Sequence, residues 1–305
     1  MQVAQRNPCR EPVMPGRWQP HATPISPERV ICAVDGGPPS REATRQARAV
    51  ASPDAHFWGV SVWDPGLATH AGIHAGAVVH DLRQNSVAAL CNVQETFPDT
   101  EPLLMRGTAV ASLLRTISNL DADLVSVGAS GTSRPAGVLF RSVATAMVHY
   151  APCSVLLARR SPRDTFPQRI VHASDGSPDS LAAARVAGEL AARVGSEVTT
   201  LHVGDDDEHV EQVAALIETS GAKVVARNER GVPHRRIAQM AKALGASLIV
   251  AGSRGTSGVA RARKRERTYR RGAECSVLIV RRRTTDPSWR HLGLARAPGK
   301  ATPCP

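Results

Sequence analysis

The sequence predicts an α/β fold made of two tandem, doubly wound, parallel-sheet domains of the Rossmann-like kind. Three observations carry that prediction. Three stretches of sequence occur twice, in the same order, and a repeat of this size has to be recognised before the fold can be assigned. Short apolar runs alternate with stretches of helical periodicity, the pattern of strand–helix–strand crossovers. Several of the runs are apolar throughout instead of alternating with polar residues, as strands are when helices cover both faces of a sheet.

The repeat sets the domain organisation. RVICAVDGGPPSREA at 29–43 matches RIVHASDGSPDSLAA at 169–183. LDADLVSVGASGTS at 120–133 matches LGASLIVAGSRGTS at 244–257, and PCSVLLARR at 152–160 matches ECSVLIVRR at 274–282. Copy one therefore spans 29–160 and copy two 169–283. Residues 161–168, SPRDTFPQ, are polar with two prolines and suit a linker. Residues 1–28 and 284–305 lack periodicity and are expected to be disordered extensions.

Each copy opens with a short strand, VICAV or IVHAS, that ends at an Asp-Gly turn. In copy two a helix follows. Ser177 is a good N-cap, Pro178 suits the first helical position and Gly195 suits the far end. HFWGVSV and EVTTLHV read as second strands, closing at Val62 and Val203. Helical segments are expected around 77–97 and 207–220, and again in GVPHRRIAQMAKALG, with Pro233 in its first turn. SLIVAGS and SVLIVR are continuous apolar strands.

Bulk properties narrow the class. The 305 residues suffice for two ordinary domains. Aromatic residues are only 3%, so Val, Leu, Ile and Ala must build the core. A formal charge of +11 points to nucleotides, nucleic acid or other anions as partners. The six cysteines form no C-x-x-C pair, which argues against a zinc or dithiol redox motif. No secretory pattern opens the chain and no apolar run reaches the roughly 20 residues of a membrane span. The expectation is a cytoplasmic protein with reduced thiols and no membrane partner.

In an open parallel sheet, ligands sit beyond the carboxyl ends of the strands, where the strand order switches. Asp35, Val62 and the loop of Gly128 and Gly131 converge there in copy one. Asp175, Val203, Gly252 and Gly255 do so in copy two. Glycines let a backbone approach a ligand closely, and successive N–H groups ahead of a helix make an anion nest. A lone Gly-x-x-Gly is more often a plain strand-to-helix turn. Its recurrence with the Asp-Gly turn is more specific.

On these residues both copies resemble the universal stress protein family. The marks are AVDG and ASDGS after the first strand, LHV after the second, GVPHRRI opening a helix, and VGASG and AGSRG with CSVLLAR and CSVLIVR. The resemblance covers about four-fifths of the chain. It implies adenine-nucleotide (ATP) binding through a G-x2-G-x9-G-[ST] loop, with the first-strand Asp and second-strand Val holding the adenine. Asp35, Val62, Gly128, Gly131 and Ser142 match those positions in copy one, and Asp175, Val203, Gly252 and Gly255 in copy two. It also implies pairing through the final strands, here between the two copies, with a homodimer as an alternative.

Both copies depart from the family at the end of that loop. Copy one has Arg141 in place of the third glycine but keeps Ser142. Arg141, expected at a helix start where φ is negative, can offer a guanidinium to phosphate. Copy two has Arg265-Glu266 at the same spacing, or Arg263-Lys264 if the loop is about two residues shorter, and loses the Gly-Ser. Nucleotide binding is therefore expected in copy one ahead of copy two. Copy one also has Ala109 where the family has the proline that copy two keeps as Pro233.

The alternative is a stress protein that binds no nucleotide and grips nucleic acid or another anion through RARKRERTYRR, 261–271. Seven of these eleven residues are Lys or Arg. Copy one has 11 basic and 10 acidic residues and copy two 20 and 13, so the excess charge is local. A solvated basic face is the simpler reading of such a run. No G-x-S-x-G, Walker A or H-E-x-x-H motif points to an enzyme, although a slow ATPase activity stays open. His70, His74 and His80 lie in a Gly/Ala-rich connection and read as loop histidines, so no metal is expected.

Overall fold

A computed structural model describes residues 26–69, 72–129, 137–161, 165–253 and 274–282, with side chains in the third segment described from Val143 onward. Nearly all of the expected terminal extensions, and the basic stretch 261–271, lie outside the described residues. Copy one folds as β1(Arg29–Ala33), α1(Pro38–Val50), β2(His56–Trp63), α2(Ala75–Thr96), β3(Thr100–Arg106), α3(Ala109–Asn119), β4(Leu124–Gly128), α4(Gly137–Tyr150) and β5(Ser154–Ala158). Copy two is β6(Arg169–Ser174), α5(Pro178–Val194), β7(Glu197–Val203), α6(Asp207–Glu218), β8(Lys223–Glu229), α7(Pro233–Ala243), β9(Leu248–Gly252) and β10(Ser276–Val280).

The helix termini form for local reasons. Ser177 is extended at the N-cap of α5, and its hydroxyl accepts from the Ser180 N–H. Pro178 follows, and Gly195 closes the helix at φ +70°, a conformation that suits glycine. α1 starts on Pro38 after Gly37, whose place Ser177 takes in copy two. α7 begins at Pro233.

The ten strands among the described residues form one sheet in the order β3-β2-β1-β4-β5-β10-β9-β6-β7-β8. Each copy is parallel within itself and shares the same internal order. The copies join where β5 and β10 run antiparallel, with Val155 opposite Ile279, Leu156 opposite Leu278 and Leu157 opposite Val277. The two apolar edges thus cover each other. Two apolar layers sandwich the sheet and each continues across the junction. One holds Val30, Leu156, Phe166, Leu190 and Leu278, and the other Ile31, Met147, Val155, Ile249 and Ile279.

Polar contacts pin the junction with pseudo-two-fold symmetry. The Arg159 N–H donates to Ser276 Oγ at 2.9 Å, and the Arg281 N–H donates to Ser154 Oγ at 3.2 Å. The symmetry then breaks. Buried Gln46 accepts from Ser276 Oγ at 2.6 Å and donates to the Arg159 carbonyl at 2.6 Å. Copy two has Val186 at the matching position. The Arg281 guanidinium donates to the Val148 and Ala151 carbonyls, satisfying the end of α4.

Candidate functional site

Because the copies meet antiparallel, the carboxyl ends of their strands open at opposite edges of the sheet. In copy one that edge begins with the turn after β1. Asp35 is exposed, and its Oδ1 accepts from the Gly37 N–H at 2.9 Å. Its own N–H donates to Ser40 Oγ at 3.3 Å, which donates in turn to the Gly37 carbonyl at 2.9 Å. Gly36 sits at φ +78°, as an Asx-type turn of this shape requires. Copy two repeats the turn more tightly. Asp175 Oδ1 accepts from both the N–H and the hydroxyl of Ser177, at 3.1 and 2.6 Å. Each aspartate shapes its turn as well as facing the ligand edge.

Val62 and Val203 are half-buried against one core layer at the ends of β2 and β7. β2 continues one residue past Val62 to Trp63, whose ring lies 5.5 Å from the Arg106 guanidinium. Gly128 and Gly252 end β4 and β9. A Cβ on Gly128 would meet the Pro39 backbone at 2.6 Å, and one on Gly252 the Asp179 backbone at 2.5 Å. These glycines are required by the close approach of α1 and α5 to the strand ends, a packing cause that the loop motif does not reveal. Gly131 and Gly255 lie outside the described residues.

Arg141 and Ser142 belong to α4, which starts at Gly137. The position is thus inside the helix and not at its start, a correction to the sequence expectation. Only the first four N–H groups of a helix lack an internal partner, so the Arg141 N–H is engaged in the helix. Helical φ is negative, so arginine there carries no steric penalty.

The two strand-end edges differ in charge. Beside the strand end, copy one has Pro39 and Ala129 where copy two has Asp179 and Ser253. The Asp179 side chain is buried, and its Oδ2 accepts from Ser253 Oγ at 2.6 Å. A carboxylate therefore already fills the start of the glycine loop in copy two. Arg41 of copy one donates to the Gly36 carbonyl at 3.1 Å, and Leu181 stands in its place in copy two. The loop after β7 adds Asp205 and Asp206 to copy two, and the first turn of α6 adds Asp207 and Glu208.

Copy two also carries a histidine cluster that the sequence analysis overlooked. His172 is fully buried under the turn, with Nε2 3.0 Å from the Ser180 carbonyl and Nδ1 3.0 Å from Thr200 Oγ1. A carbonyl only accepts, so Nε2 carries the proton. Burial is the main cause that pushes this imidazole down to about 4, with His209 acting in the same sense and the Ser180 carbonyl and Asp175 opposing. His202 and His209 both reach Ser174. Superposing the repeats would have shown His172 against Cys32, Ser174 against Val34 and His202 against Ser61, but His209 lies in the variable helix, where the repeats do not align.

Among the described residues no group of three His, Cys, Asp or Glu is placed to hold a metal ion, and no helix is long and apolar enough to cross a membrane. His70 lies outside the described residues. Burial pushes the Cys32 and Cys275 thiols up to about 11, far from a reactive thiolate.

The universal stress protein family matches the chain at residues 27–159, 167–220 and 206–281. No curated protein matches the sequence. Among solved structures, a universal stress protein from Archaeoglobus fulgidus DSM 4304 is 18% identical over 83% of this chain and 98% of its own, with a TM-score of 0.66. A putative universal stress protein from Pseudomonas aeruginosa UCBPP-PA14 is 16% identical over 85% of this chain and 94% of its own, with a TM-score of 0.54. A universal stress protein solved in complex with cAMP is 24% identical over 38% of this chain and 98% of its own, with a TM-score of 0.35.

Proposed function

Since the chain belongs to the universal stress protein family, we propose that it is a stress-response protein acting by binding an adenine nucleotide, ATP foremost, in copy one. Copy two serves as its bound, non-binding partner. The observation that carries this is the charge difference where each glycine loop begins. Copy two places the Asp179 backbone against Gly252 and ties the buried Asp179 carboxylate to Ser253, the next residue of the loop. Copy one places the neutral Pro39 against Gly128, with Arg41 on the same turn. A carboxylate at that position repels phosphate, whereas an exposed guanidinium attracts it. Asp35 and Val62 stand at the strand ends to receive the adenine, and the stretch from Gly128 to the start of α4 receives the phosphates.

The chain's role is binding rather than turnover, in the cytoplasm. Heating the purified protein with and without ATP, ADP or AMP tests the proposal. A nucleotide that binds the folded state raises the melting temperature by an amount that grows with the logarithm of its concentration relative to its Kd. An unchanged melting temperature with all three at millimolar excess would refute nucleotide binding.

A further inference from the structure

Ser174, the last residue of β6, is held from two sides by imidazoles. His202 of β7 has Nδ1 3.1 Å from the Ser174 carbonyl, so Nδ1 is the protonated nitrogen. His209 of α6 has Nε2 2.8 Å from Ser174 Oγ. The two rings meet edge to face with centroids 5.2 Å apart. Ser180 Oγ lies 3.1 Å from Ser174 Oγ and accepts from the Asp175 N–H. The hydroxyls can therefore run in one direction, from Ser180 to Ser174 to a neutral His209. His172 lies beneath, held by the Ser180 carbonyl. One connected network thus ties β6, the turn at 175–177, α5, β7 and α6 together.

Copy one keeps the bond from the Asp35 N–H to Ser40 Oγ but has none of these imidazoles. Its counterparts are Cys32, Val34 and Ser61, and Ala89 lies against Gly36 where His209 lies against Gly176. The fold closes this corner with apolar contacts, so the imidazoles are not needed to build it. We propose that the copy-two cluster is a pH-responsive clamp. On acidification it releases the 174–177 turn and the start of α6, while the matching corner of copy one stays closed.

Imidazole is the side chain whose charge ordinarily changes near neutral pH. Protonating His209 makes Nε2 a donor, so the Ser174 hydroxyl loses its acceptor and must turn away from the ring. Charging both rings sets like charges side by side. Charged groups stand on each element around them. Asp175 lies in the turn, Asp179 on α5, Asp205 and Asp206 in the loop, Asp207 and Glu208 on α6, and Glu229 and Arg230 at the end of β8. Asp205 pairs with Arg230 at 3.0 Å, and Asp206 caps α6 by accepting from the His209 N–H at 2.9 Å. His172 adds to the effect, because opening lets it take up a proton that burial denies it.

Hydrogen exchange of the full chain at about pH 7.5 and about pH 5.5, with the intrinsic exchange rates divided out, tests the clamp. Peptides covering 171–180 and 205–213 should lose protection at the lower pH by roughly tenfold more than the copy-one peptides 31–40 and 85–93. The variant His202→Asn with His209→Gln keeps neutral groups near the two bonding nitrogens and should lose most of that difference. Equal responses in the two copies of the natural protein would overturn the proposal without any variant. So would a folded double variant that keeps the full response.

Discussion

Gly128 ends β4 directly against the first turn of α1, where a Cβ would stand 2.6 Å from the Pro39 carbonyl carbon and 2.8 Å from its Cβ. Gly252 has the same relation to Asp179 and Ser180. Contacts this short with backbone cannot be relieved by a rotamer change. Gly128→Ala and Gly252→Ala should each cost about 1–3 kcal/mol, the usual range for overpacking. At roughly 2–4 °C per kcal/mol for a chain of this size class, thermal melting without nucleotide resolves that loss. Natural stability in either variant would leave ligand approach as the reason for the glycine.

Asp35→Ala should abolish most ATP binding in titration calorimetry, and Asp175→Ala should change little. Asp35 is exposed at the edge proposed to hold the nucleotide, whereas Asp175 is occupied by two bonds from Ser177. The opposite ranking would place the nucleotide in copy two.

Arg141 lies within α4, so its contribution must come from its side chain and not from a free N–H. The natural protein should bind ATP more tightly than Arg141→Ala or Arg141→Gly, with an advantage that shrinks as salt screens the charge. Tighter binding by Arg141→Gly would mean that the arginine obstructs the loop.

His172 gives stability a definite pH dependence. Its folded value of about 4 lies below the ordinary 6.5, so between those values the unfolded chain binds the extra proton. Stability from this group is complete above 6.5 and is lost progressively as pH falls toward 4. His172→Cys, the copy-one residue at this position, should flatten the curve of denaturation midpoint against pH over that window. An unaltered slope would show that other groups dominate.

Residues 29–160 expressed alone should dimerise or aggregate, because β5 loses the apolar strand that covers Val155, Leu156 and Leu157. Gln46 and the Arg159 N–H lose Ser276 at the same time. Sedimentation of that fragment as a well-behaved monomer would contradict the need for the junction.

The order of strands and helices, and their division into two copies, was legible in the sequence because both rest on local causes. Ser177-Pro178 and Gly195 bound α5 through backbone preferences that neighbours cannot override, and the unbroken VLIV run of β10 requires burial on both faces. The candidate ligand edge was legible for the same reason, since strand ends and Asp-Gly turns are sequence features. Only the tertiary structure decided what occupies that edge. Gly128 and Gly252 look like ligand glycines until Pro39 and Asp179 are seen above them. Asp179 meets Ser253 across 74 positions, and Gln46 meets Ser276 across 230. His172, His202 and His209 form one cluster because β6, β7 and α6 converge. Spacing along the chain encodes periodicity and turns, whereas contacts between distant segments depend on crossovers whose packing no local pattern specifies.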